Sequence, residues 1–196
     1  MLLYVIRHGQ TDYNFEERLQ GARDIPLNDT GRAQARANGR ALASLPDLEY
    51  PLPQFDWVAS PLRRTRETME LVRQAAGLEP GAYRTDPLLI ELSFGDWEGQ
   101  TLADVAIHSP HLIDQREDGK WDFRPPGDRA ESYAMLALRI DRFLTTLTGP
   151  TICVAHGGVI RTLFNRIGKV AGDEAALIDI PQDRVLKIKD DAIGWI

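Results

Sequence analysis

Leu2-Leu3-Tyr4-Val5-Ile6 is an unbroken apolar run rich in strand formers. This is how a strand covered on both faces of a parallel sheet reads. Polar residues then fill Arg7 to Asp24, so a loop or a short helix follows. A helix is expected from Asn28, a good N-cap, with Ala33, Ala37, Ala41 and Leu45 recurring every four residues along one face. Pro46 and the prolines at 51 and 53 end it. Phe55–Ala59 reads as a second strand, and Ser60-Pro61 as a helix start, a cap followed by proline at the first helical position. Leu62, Thr65, Met69, Val72 and Ala76 then mark the buried stripe of an amphipathic helix that Gly77 closes.

The later chain keeps the same rhythm. Leu88-Leu89-Ile90 is a short apolar segment leading into Glu91. Residues 95–130 lack a period and are expected to form an insertion or cap over the sheet's edge. Pro125-Pro126-Gly127 precedes a helix over about 130–147. Thr151–Ala155 is a third buried strand, turned by His156-Gly157-Gly158 into a helix reaching about Ile167. Val185–Ile188 and Ala192–Ile196, parted by Asp190-Asp191, pattern as a terminal hairpin. Strands alternating with helices point to an α/β layered fold.

The 196 residues suit one domain, able to bury roughly 70% of its unfolded surface without a disulfide or metal staple. Lys and Arg number 23 against 29 Asp and Glu, a net charge of −6. This balance argues against a broad nucleic-acid footprint but leaves room for a small basic pocket. The one cysteine, Cys153, has no internal partner, which fits a reducing, cytoplasmic setting. The N-terminal apolar run stops at Arg7-His8, too short for a leader or a membrane span.

The chemistry concentrates where strands end. Arg7-His8-Gly9 follows the first strand and His156-Gly157-Gly158 a later one. Ligands of open α/β sheets bind outside the carboxyl ends of the strands, so parallel neighbours would bring both histidines to one crevice. There a histidine serves as nucleophile or charge stabiliser. The adjacent glycines would let backbone N–H groups approach an anion.

These segments also carry a resemblance. Arg7-His8-Gly9-Gln10-Thr11 with Asn14, Ser60-Pro61-Leu62-Arg63-Arg64 with Thr68, Glu91 ahead of Phe94-Gly95-Asp96-Trp97-Glu98-Gly99, and His156-Gly157-Gly158 together resemble the histidine phosphatase superfamily, in its phosphoglycerate-mutase-like branch. The motifs keep that family's order and span most of the chain. The resemblance implies a three-layer α/β/α sandwich around a mostly parallel sheet, and no metal or other cofactor. It implies that His8 attacks phosphorus, that Arg7, Arg64, Asn14 and His156 surround the phosphoryl oxygens, and that Glu91 gives and then takes a proton. Glu16, Arg18, Gln20 and Gly21 match positions where the family contacts the rest of the substrate, and Gly157 is expected at the binding site. Arg63 and Arg64 both sit at a helix start, and the family's spacing from Thr68 selects Arg64.

A phosphatase acting on small phosphorylated metabolites is the expected activity. The alternatives are a cofactor-dependent phosphoglycerate mutase and a non-catalytic phosphate-binding module. His108 and His111 lack the third ligand of a metal site and read as solvated. Arg63–Glu67 and Arg66–Glu70 read as exposed helix pairs, and Asn28-Asp29-Thr30 as a cap rather than a glycosylation site. Trp97 is expected in a core, while Trp121 and Phe123 suit either a lid or that core. Residues 179–184 carry no signature.

Overall fold

The computed structural model describes residues 1–46 and 48–196. Six strands form one sheet: β1 (Leu2–Arg7), β2 (Asp56–Ala59), β3 (Arg84–Thr85), β4 (Thr151–Ala155), β5 (Val185–Lys189) and β6 (Ala192–Trp195), in the order β3-β2-β4-β1-β5-β6. β1, β2, β3 and β4 run parallel, whereas β5 is antiparallel to both β1 and β6. The terminal hairpin thus extends a parallel sheet, and β1 lies between β4 and β5. The helices are α1 (Asp12–Phe15), α2 (Asp29–Ala43), α3 (Arg63–Ala75), α4 (Leu102–His108), α5 (Pro110–Asp118), α6 (Tyr133–Thr145), α7 (Gly157–Arg166) and α8 (Gly172–Leu177).

The apolar run of β1 is continuous because both of its faces are covered. Leu3 and Val5 join a core with Leu136, Ile140, Ile160 and Leu163 of α6 and α7. Tyr4 and Ile6 point the other way, into a core with Ala35, Leu42, Met69 and Val72 of α2 and α3. Alternation along one strand therefore feeds two cores and makes three layers. Each large aliphatic side chain so buried contributes about 1.5–3 kcal/mol.

Several local expectations are corrected. The face of α2 toward the sheet carries Gly31, Ala35, Asn38, Gly39 and Leu42, while Ala33, Ala37 and Ala41 face solvent. The buried stripe holds Gly39 because α2 packs tightly on α3, where its Cβ would stand 2.3 Å from the Val72 carbonyl oxygen, and Asn38 because its Nδ2 donates to the Gln182 carbonyl at 3.0 Å. α3 begins at Arg63 with Leu62 as N-cap, and Ser60-Pro61 lies before it. Glu67 pairs with Arg32 of α2 at 2.7 Å, and Glu70 accepts from the Tyr83 hydroxyl at 3.0 Å, so neither makes the expected bridge along α3. The stretch 95–130 holds a 3-10 turn at Gly95–Trp97 and the short helices α4 and α5. Only Val105 of α4 and no residue of α5 is buried, so neither leaves a periodic stripe. α8 adds to the expected elements.

Other expectations hold. Asn28 caps α2 by accepting from the Gly31 N–H at 2.9 Å. Trp97 is buried and packs on Phe123, ring centroids 5.3 Å apart, while Trp121 stacks on Tyr133 at 5.8 Å. His108 and His111 are exposed on different helices.

Candidate active site

Three neighbouring strands end at one crevice: β2 leads into Ser60, β4 into His156 and β1 into His8. The His8 and Ser60 N–H groups extend the ladder onto Ala155 and Val154, each at 3.0 Å. The His8 and His156 rings meet edge to face with centroids 5.2 Å apart.

The proton on His8 can be placed. Nδ1 lies 2.8 Å from the Gly9 carbonyl oxygen. A carbonyl only accepts, so Nδ1 carries the hydrogen and Nε2 of the neutral ring keeps its lone pair. Nε2 faces Arg64 Nε at 3.3 Å. Burial, then Arg64 and Arg7, hold the His8 pKa well below its usual value, so the ring stays neutral at neutral pH.

Arg64 is the inward arginine of the pair, fully buried, and Arg63 is exposed. Its Nη1 donates to the Arg23 carbonyl at 2.6 Å and its Nη2 to the Gly21 carbonyl at 2.9 Å. Burial lowers its pKa to about 10, still a cation at neutral pH. Asp24 Oδ1 accepts the Arg63 N–H at 2.6 Å, so the loop that holds Arg64 also caps α3. Arg7 Nη1 donates to the Ile180 carbonyl at 2.6 Å, while its buried Nε has no partner. Burial, then Arg161, lowers the Arg7 pKa.

His156 is arranged by Ser60, whose Oγ lies 2.8 Å from Nε2. The other ring nitrogen, Nδ1, is buried without a partner. Burial, then Arg64, holds the His156 pKa well below its usual value. This engagement explains why Ser60 does not cap α3.

Glu91 Oε2 accepts from the Gly158 N–H at 2.9 Å and Oε1 from the Leu92 N–H at 3.0 Å. The carboxylate thus sits at the N-terminus of α7, where the helix dipole favours an anion. A Cβ on Gly158 would fall 2.2 Å from Glu91 Oε1. Gly158 is therefore required by Glu91, and its N–H is not free for a ligand. Gly9 likewise serves packing: its N–H donates to Thr68 Oγ1 at 3.1 Å, and a Cβ there would stand 2.2 Å from the Gly31 carbonyl oxygen. Gly157 differs from both: a Cβ there would make ordinary contacts with Arg7 Nε and Arg161 Nη1, each at 3.5 Å.

Asn14 shares a capping box with Thr11, and its Oδ1 accepts from Gln182 Nε2 at 3.2 Å. The same Gln182 nitrogen lies 3.1 Å from the His8 carbonyl oxygen. Gln182 and the Ile180 carbonyl are contributions that sequence reasoning missed, and no local signal marks them. Gln20 is buried with an unpartnered Oε1. Arg18 is held by Glu16 at 2.6 Å and by the Gly99 carbonyl at 2.9 Å. A cavity of about 740 Å³ opens beside Glu91, lined by Arg23, Asp96, Glu98, Arg129 and Glu131 among others. Arg18, Gln20 and Gly21 do not line it; Ala22 and Arg23 of the same loop do. Among the described residues no group of three or more His, Cys, Asp or Glu is placed to hold a metal, and no helix is long and apolar enough to cross a membrane.

Two buried neutral imidazoles among arginines, with a carboxylate beside them, make a crevice suited to an anion. Residues 3–195 match the histidine phosphatase superfamily (branch 1), and the chain belongs to that superfamily as an enzyme of the phosphatase class. It is 33% identical over 193 residues to the glucosyl-3-phosphoglycerate phosphatase of Mycobacterium tuberculosis H37Rv, covering 91% of this chain and 76% of that protein. It is 29% identical over 186 residues to the 2,3-bisphosphoglycerate-dependent phosphoglycerate mutase 2 of Gloeobacter violaceus, covering 91% and 81%. The structure of a mycobacterial glucosyl-3-phosphoglycerate phosphatase with VO3 is similar at 28% identity and a TM-score of 0.77, covering 100% of this chain and 96% of that one. A phosphoglycerate mutase structure from Thermus thermophilus is similar at 31% and 0.73, covering 97% and 94%.

Proposed function

We propose that this protein hydrolyses phosphate monoesters of small metabolites in two steps through a phosphohistidine on His8. The observation that carries the reading is the His8 ring, neutral, fixed by Gly9 and presenting its Nε2 lone pair to Arg64. In the first step Nε2 bonds to phosphorus, the ester P–O bond breaks, and Glu91 gives a proton to the leaving oxygen. Arg7, Arg64 and His156, with Asn14 and Gly157, stabilise the negative charge on the phosphoryl oxygens. In the second step Glu91 takes a proton from water. The water oxygen bonds to phosphorus, the N–P bond breaks and inorganic phosphate leaves. Charge favours this nucleophile, since a neutral imidazole meets a phosphate dianion without the repulsion a carboxylate would feel.

One domain carries both steps in this reading, with the 95–130 region capping the leaving-group side beside Glu91. The buried Cys153 fits a reducing cytoplasm. The mutase reading uses the same site and draws support from the mutase-named relatives. It differs in requiring the phosphohistidine to resist water and pass its phosphoryl group to a second hydroxyl.

The test is phosphate release from p-nitrophenyl phosphate with chelator present, beside 3-phosphoglycerate supplied with catalytic 2,3-bisphosphoglycerate. Release that disappears in His8→Ala, with an acid-labile phosphoenzyme in the wild type, is the expected result. Isomerisation without net release would replace the phosphatase by the mutase.

A further inference from the structure

The segment Phe94–Gly99, prominent in the sequence, supplies more than cavity wall. Its Glu98 is bound with unusual economy. One oxygen, Oε1, accepts from the Ala22 N–H at 3.1 Å, the Ser93 hydroxyl at 2.9 Å and the Phe94 N–H at 3.2 Å. The other, Oε2, stands 4.0 Å from Arg23 Nε.

The donors belong to two different loops. Ala22 lies between Gly21 and Arg23, whose carbonyls hold the Arg64 guanidinium. Ser93 and Phe94 follow Glu91 by two and three residues. One carboxylate oxygen therefore ties the loop behind the phosphoryl-binding arginine to the loop bearing the proton donor. Gly21 gives an independent indication. Its backbone is left-handed, with φ of +53°, and a Cβ there would lie 2.1 Å from the same Oε1. Glycine at 21 admits the carboxylate, so the position expected to contact substrate also seats Glu98.

We propose that Glu98 is a positioning residue, locking the Arg64-holding loop and the Glu91 loop into one register so that phosphoryl binding and proton transfer are aligned together. The proposal rests on the two-step reading above. All three hydrogen bonds fall on one oxygen, so an amide oxygen at the same place can keep them. An alanine leaves three donors without an acceptor, and an aspartate is one methylene too short to reach both loops.

Leaving groups separate the two arms. p-Nitrophenyl phosphate releases a phenolate that needs little protonation, so its burst phase reads the arginine arm. β-Glycerophosphate releases an alkoxide that needs the Glu91 proton, so the ratio of the two substrates reads the carboxylate arm. In Glu98→Ala we expect kcat on β-glycerophosphate to fall about 30-fold or more, the p-nitrophenyl burst to slow about fivefold, and KM to move less than about threefold. Glu98→Gln should recover to within about threefold of wild type, and Gly21→Ala should follow Glu98→Ala. Rates are taken per folded molecule, and if Glu98→Ala does not fold, Glu98→Asp carries the same readout.

Wild-type kcat on both substrates in Glu98→Ala or Glu98→Asp overturns the proposal, as does a change confined to KM or a Gln variant as damaged as Ala. His8→Ala separates the two levels. Lost release in His8→Ala with intact kcat in Glu98→Ala overturns the positioning role alone, while release that survives His8→Ala overturns the two-step reading and this proposal together.

Discussion

The two sides of the crevice are built by different rules. On the side proposed to bind the phosphoryl group, His8, Arg64 and His156 are buried at strand and helix ends, and each is held by a named backbone or side-chain partner. On the side proposed for the leaving group, a wide polar cavity is walled by loops and by the turn at Gly95–Trp97, with Asp128 and Arg129 exposed to water. A phosphoryl group is the same in every monoester, so its binding groups can be fixed on rigid elements. The remainder of the substrate varies, and the segments that meet it are those with the least regular structure.

The difference is tested most severely at its fixed end. His8→Ala should abolish the phosphoenzyme and lower turnover by about 10³-fold or more, read by acid-quench labelling. Arg64→Ala should cost about 10²–10³ in kcat, and Arg64→Lys should not restore it, because one ammonium cannot bond Arg23, Gly21 and the phosphoryl group together. Ser60→Ala keeps the His156 ring but removes its one side-chain partner. A kcat loss of about tenfold is expected, with the ¹⁵N shifts of His156 changing from their wild-type positions.

Acid should expose the same contrast through stability. His8 and His156 have folded pKa values lowered well below 6.5, so the unfolded chain binds more protons than the folded one as pH falls through the unfolded value. Their contribution is neutral above that pH. Below it, each histidine should remove about 1.4 kcal/mol of stability per pH unit, measured by denaturant unfolding between pH 7 and 5. His8→Ala and His156→Ala should each shallow that slope.

The same division decides what is legible in the sequence. Strands such as Leu2–Ile6 and Thr151–Ala155 can be read because burial on both faces demands uninterrupted apolar residues. His8, Arg64 and His156 come together because parallel neighbours end at the same edge. The buried face of α2 escapes a hydropathy period because close helix contact selects Gly39 and a bond to the Gln182 carbonyl selects Asn38, and nothing in that period marks either. The helices α4 and α5 stay hidden because they bury almost nothing. Ser60 stands within a recognisable motif yet reads as a cap, since its true partner lies 96 residues away. Gln182 has no neighbour in sequence to suggest His8 or Asn14.

The braces at Ile180 and Gln182 bear on when activity begins. They reach Arg7 and His8 across 173 and 174 residues of chain, next to the antiparallel pairing of β5 with β1. A nascent chain extended only through α8 already contains both histidines, all the arginines of the crevice and Glu91. It still lacks the acceptor for Arg7 and the amide that steadies the His8 carbonyl and Asn14. The proposed site is therefore complete only when residues from the two ends of the chain have met.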